Sequence, residues 1–163
     1  MHIWTIENWQ KHLADESNRR DGIRFRYDAS IPGELKTEFL RFAKWLRREY
    51  YFPLRINVYV YNTPFIKAKD GDLVVGLFFE PESYLDEPYI KLAVGDYEAL
   101  CDERGRDKGM LAILGTFVHE LTHYFQWING LELTDKGRER QAERYVWFVL
   151  EEYTEYLRRN ESS

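Results

Sequence analysis

The sequence predicts an α+β fold in which one small mixed β-sheet is packed by helices. Three observations carry this expectation. Residues 23–27, 55–61 and 89–94 alternate apolar and polar side chains with the period of half-buried strands. Leu35, Phe39, Phe42, Ala43, Leu46 and Tyr50 recur at helical spacing. The last third of the chain carries two long helical patterns, residues 110–128 and 138–158. With 163 residues and no repeat, low-complexity tract or linker, residues 1–163 read as a single domain that needs no disulfide to bury a core.

Taken in order, residues 6–13 form a short helix and residues 14–22 a polar loop. The first strand, residues 23–27, leads to Ser30-Ile31-Pro32-Gly33-Glu34, a helix start with Pro allowed in the first turn. That helix stops before Pro53. A strand at 55–61 follows, then a loop marked by Pro64 and by Asp70-Gly71-Asp72, and a strand at 73–79. Residues 81–88 are irregular, and the strand at 89–94 carries Lys91, which suits an edge position. Residues 96–104 form a short helix. Asn129-Gly130 then stops the helix at 110–128.

Composition excludes several classes of function. A net charge of -5 without a basic block argues against binding nucleic acid or an anionic membrane. No apolar run has the length to cross a bilayer, and the first residues show no export signal, so the expected location is the cytoplasm. The lone Cys101 fits a reducing compartment and reads as structural.

The chemistry sits in residues 110–128, which hold a single formal charge, Glu120, in a protein that is 31% charged. At about 100° per residue, Leu111, Leu114, Val118, Leu121, Phe125 and Ile128 form an apolar stripe, and His119 and His123 face the other way. Their rings are one turn apart and can converge, with Glu120 on the flank. Zinc takes about four ligands near 2.0 to 2.1 Å, and two imidazoles on a rigid helix supply half of that set.

The last helix is expected to supply a third ligand. Glu139 and Glu143 fall on the same stripe as Val146, Leu150, Tyr153 and Leu157, so both carboxylates are expected to face the core, where each needs a cation or strong donors. Glu139 is the expected zinc ligand and Glu143 the acid that fixes a ligand imidazole, with the reverse assignment left open.

His119-Glu120-Leu121-Thr122-His123 together with Glu139-Arg140-Gln141-Ala142-Glu143 resembles the gluzincin metallopeptidases, strongest for their small single-domain members. The second motif in that family is commonly Glu-x-x-x-Asp, and Glu143 stands where the Asp would be. The resemblance implies a zincin-like fold and hydrolysis of a peptide or protein substrate, with Glu120 as general base on a zinc-activated water. It also implies an edge strand that binds substrate as an added strand, assigned to residues 89–94 with Ile90, Leu92 and Val94. Tyr145 and Tyr153 are candidate donors to the transition-state oxyanion. The alternative is a zinc-binding regulatory protein that cleaves or binds one specific partner without general peptidase activity.

Overall fold

The computed structural model describes residues 1–13 and 19–161, without the side chain of Glu161. Strand β1 (Ile23–Tyr27), helix α1 (Gly33–Glu49) and strand β2 (Ile56–Tyr61) form a parallel β-α-β unit. Two short strands follow, β3 (Ile66–Lys67) and β4 (Leu73–Val74), then β5 (Gly76–Phe79) and β6 (Tyr89–Ala93). Helices α2 (Tyr97–Arg104), α3 (Arg106–Ile128) and α4 (Asp135–Glu161) complete the chain. The architecture is mixed α+β, as the strand and helix periods predict.

The main sheet has the order β1-β2-β6-β5. The first three strands are parallel and β5 runs antiparallel to β6. Phe25, Val58, Ile90 and Phe78 sit in register across it. Ile56, Val58, Val60, Ile90 and Leu92 are buried, whereas Asn57, Tyr59, Tyr89 and Lys91 are half-exposed, so the alternating pattern divides a helix-covered face from an open one. On the covered face, α1 and α3 meet through large rings: Phe39 and Phe42 each lie 6.0 Å from Phe117. Tyr153 of α4 reaches the same core, 4.7 Å from Phe42.

Four boundaries differ from the sequence reading. Only Asn8–Lys11 is helical near the start, as a single 3-10 turn, because the Trp9 N–H donates to the Asn129 side chain of α3's end instead of extending a helix. Residues 14–18 of the expected loop lie outside the described residues. The expected strand at 73–79 is divided at Val75: Leu73–Val74 pairs with Ile66–Lys67 as a separate hairpin, turned at Gly71 (φ +92°), and Gly76–Phe79 joins the main sheet. Both long helices start earlier than expected, α3 directly after Gly105 (φ +91°) and α4 at Asp135.

A further difference, of sheet order and not of a boundary, matters for the site. β6 is an interior strand, hydrogen-bonded to β2 on one side and β5 on the other; its Ile90 and Leu92 are buried, as is Val94 just after it. It therefore has no free edge to offer a substrate. Lys91 is half-exposed because it points to the open face of the sheet, where its ammonium lies over the Tyr89 ring, and not because its strand is terminal. The edge strand on this side is β5.

Candidate metal centre

A short turn sets α4 antiparallel against α3. Gly130 takes the left-handed conformation (φ +60°) that ends α3, and the Leu131 N–H donates to the Gln126 carbonyl at 3.0 Å. Thr134 then caps α4, its hydroxyl accepting from the Gly137 N–H at 3.0 Å. Farther along, Gly115 lets the helices approach: a Cβ there would lie 3.3 Å from Val146 Cγ1.

This packing brings together the residues that the motif spacing singles out. Glu139 spans the two histidines, with one carboxylate oxygen 3.0 Å from His119 Nε2 and the other 3.0 Å from His123 Nε2. On the far side of the first ring, His119 Nδ1 lies 3.0 Å from Glu143 Oε1. His123 Nδ1 lies 2.8 Å from Gln126 Oε1. Gln126 is held in that orientation because its amide nitrogen donates to the Arg138 carbonyl at 3.1 Å and to Gln141 Oε1 at 2.9 Å.

Glu143 and the Gln126 amide oxygen face the two Nδ1 atoms as acceptors, and the Glu139 carboxylate faces both Nε2 atoms as an acceptor as well. A ring that carries its proton on Nδ1 alone turns its Nε2 lone pair toward Glu139. Burial, the largest influence on His123, lowers its pKa and favours the neutral ring. In that tautomer the space between Nε2 and the carboxylate oxygens calls for a positive charge, either a proton on the ring or a metal ion. His119, His123 and Glu139 offer three ligand atoms within 4.8 Å of one another. In a tetrahedral zinc site neighbouring ligand atoms stand about 3.3 Å apart, a spacing that lies between the 3.0 Å contacts and the 4.8 Å limit of this donor set, and two imidazoles with a carboxylate are donors that zinc takes.

Glu120 stands beside this cluster and is only 7% exposed. Burial first, and the charge of Glu139 second, push its carboxyl up to about 8. Above it passes β5. Gly76 is the point of closest approach, where an added Cβ would lie 2.7 Å from Thr116 Cγ2 and 3.3 Å from Glu120 Oε2. A cleft of about 1130 Å³ opens from His119, Glu120 and Glu143 and runs between α3, α4 and the β3-β4 hairpin.

Two sequence expectations need correction. Glu139 and Glu143 are not buried: their side chains are 63% and 70% exposed. The core face of α4 is formed by Ala142, Tyr145, Val149, Leu150 and Tyr153, and the two acids sit on its flank at the cleft wall. The two tyrosines are committed elsewhere. Tyr145 OH accepts from the Ile3 N–H at 2.9 Å, and Tyr153 OH bonds Glu38 at 2.9 Å and Arg41 at 3.1 Å. Neither tyrosine faces the cluster. Cys101 is buried under Gly109, where a Cβ would meet its sulfur at 2.8 Å, in keeping with a packing role.

Sequence reasoning missed Gln126 and Gly76. The first was findable, since a side chain three residues after His123 on a helix lies over the same turn. The second had no local signal, because what it approaches is 40 residues away in the chain.

No protein-family model matches the chain, and neither a curated protein nor a solved structure does. Among the described residues, no helix is long and apolar enough to cross a membrane.

Proposed function

We propose that the protein is a zinc-dependent metallopeptidase, a small zincin-like domain of the gluzincin type. One observation carries the reading: two imidazoles, each oriented from behind by an acceptor on Nδ1, direct Nε2 at the Glu139 carboxylate, with a buried Glu120 beside them. His119, His123 and Glu139 would hold the zinc. When bound, the ion supplies Lewis-acid chemistry, acidifying a water and polarising a carbonyl.

The remaining steps belong to the chain. Glu120 accepts the proton of the attacking water on a carboxylate oxygen and returns it to the leaving amine. In the metal-free protein burial pushes its carboxyl up to about 8, and the charge of a bound zinc would oppose that shift and favour the carboxylate that accepts the proton. Glu143 and Gln126 prevent ring rotation and hold the Nδ1 protons, which keeps both Nε2 atoms available. The free edge of β5, directly over Glu120, aligns an extended substrate by main-chain hydrogen bonds, the role first assigned to residues 89–94.

Zinc titration of the purified protein, read by metal analysis, should give about one ion per chain. Glu120→Gln should retain that ion and lose cleavage of a denatured protein. Retained cleavage in Glu120→Gln would remove the mechanism, and a zinc-loaded wild type that cleaves no denatured protein or peptide mixture would remove the peptidase reading.

A further inference from the structure

The cleft is long and one-sided. From Glu120 it follows α3 back to Lys108, twelve residues and so about 18 Å along the helix axis. Its floor is apolar, made by Leu111, Gly115, Val146 and Leu150. Large apolar side chains stand along its rim in contact with water: Leu73 on the β3-β4 hairpin is 65% exposed and Trp147 on α4 is 74% exposed. Phe65 and Val75 continue the hairpin side. Exposed apolar side chains gathered along a cleft mark a surface that binds a ligand or a chain.

The other side of the metal cluster is different in character. There the surface near Gln126 is a small recess of about 200 Å³ lined by Glu80, Tyr84 and Arg138, with Arg138 3.8 Å from Glu80. The far mouth of the apolar cleft is different again. Arg104 and Lys108 come to it from α2 and α3, and Arg158 from α4. Glu151 and Glu155 are also there, and Arg158 pairs with Glu155 at 3.8 Å on its own helix. An exposed pair of that sort contributes little.

We infer that the cleft holds about five extended residues of the substrate, all on one side of the scissile bond, and selects a run of apolar side chains followed by an acidic one. The length comes from about 18 Å divided by about 3.3 Å per residue. The apolar preference comes from the floor and rim, and the acidic end from Lys108 and from Arg104, which also lies 4.0 Å from Glu103. The protein would then cleave segments that folded proteins keep buried. This specificity rests on the peptidase reading, but the groove can be tested apart from it.

Two labelled peptides of equal length serve as probes. One carries five consecutive Leu, Val or Phe residues followed by two Asp, and the other has the five replaced by Ser and Gln. Binding to zinc-loaded Glu120→Gln is followed by fluorescence anisotropy. The apolar peptide should bind at least about tenfold more tightly, and Leu73→Ser with Trp147→Ser should erase that margin. Both substitutions lie at exposed positions, and circular dichroism checks the fold. Replacing the two Asp by Lys should weaken binding severalfold. Equal binding of the two peptides, or a margin that survives the double variant, overturns the inference.

Cleavage mapping of a peptide mixture by wild type separates the two readings. Apolar residues enriched over several consecutive positions on one side of the cut support the groove. Cleavage without that enrichment overturns the groove and leaves the peptidase. A binding margin without any cleavage keeps the groove and overturns the peptidase.

Discussion

Replacing Glu120 by Gln should stabilise the metal-free protein, and the gain should depend on pH in a way that no packing effect imitates. The Glu120 carboxyl titrates at 4.5 when unfolded and is pushed up to about 8 when folded. A raised acid pKa means that the folded state holds the proton longer. Stability is therefore fully present below about pH 4.5 and is lost as pH rises toward 8. Each pH unit in that window costs about 1.4 kcal/mol, so the charge destabilises the fold by about 3 kcal/mol at pH 7. Gln carries no such charge. Its buried amide has a cost of its own, about 1 to 3 kcal/mol, but that cost does not vary with pH. The assay is thermal unfolding of chelator-treated wild type and Glu120→Gln at intervals from pH 4.5 to 8. At about 2 to 4 °C per kcal/mol for a chain of this size, the variant should gain about 6 to 12 °C on wild type between pH 4.5 and 7. A difference in Tm that stays constant across that range would refute the reasoning.

Glu139→Ala removes the carboxylate that spans both rings and should abolish zinc binding in a competition titration, whereas Glu143→Ala should weaken it by about ten- to a hundredfold. The same titration should show a comparable loss for Gln126→Leu, which leaves His123 Nδ1 without its acceptor. Gly76→Val puts a branched side chain where even a Cβ lies 2.7 Å from Thr116 and should destabilise the fold by about 1 to 3 kcal/mol in denaturant unfolding. It should also reduce peptide cleavage by more than the loss of folded protein accounts for, since the same bulk presses on Glu120.

The motif helix was legible because its chemistry is local. A helix fixes where His119, Glu120 and His123 point relative to one another whatever surrounds them, and the structure has them as the spacing requires. The proposed third ligand needed only a short link and a helical pattern, so Glu139 and Glu143 were also findable. Their exposure was not. A helical wheel places a side chain within some tens of degrees, and on α4 that is the difference between the core face of Ala142 and Tyr145 and the flank where the acids stand.

Sheet order was harder still. Alternation along residues 89–94 correctly shows that Lys91 faces away from the core, but a period of two reports the face of a strand and says nothing of its neighbours. β5 is four residues long and half-buried throughout, so it carries no alternation to mark it as the edge. Its approach to α3 depends on Gly76, which resembles an ordinary loop glycine until its neighbours are known. The tyrosines failed as oxyanion donors for a related reason. Tyr145 and Tyr153 share a helix with Glu139, and yet their hydroxyls are occupied by Ile3 and by Glu38.

The most direct test of the metal centre is anomalous diffraction at the zinc edge from a crystal grown with one equivalent of zinc. A single strong peak is expected about 2.0 to 2.2 Å from His119 Nε2, His123 Nε2 and a Glu139 oxygen, with Glu143 and Gln126 still on the Nδ1 atoms. A peak at other residues, or none among these three with the side chains in place, would contradict it.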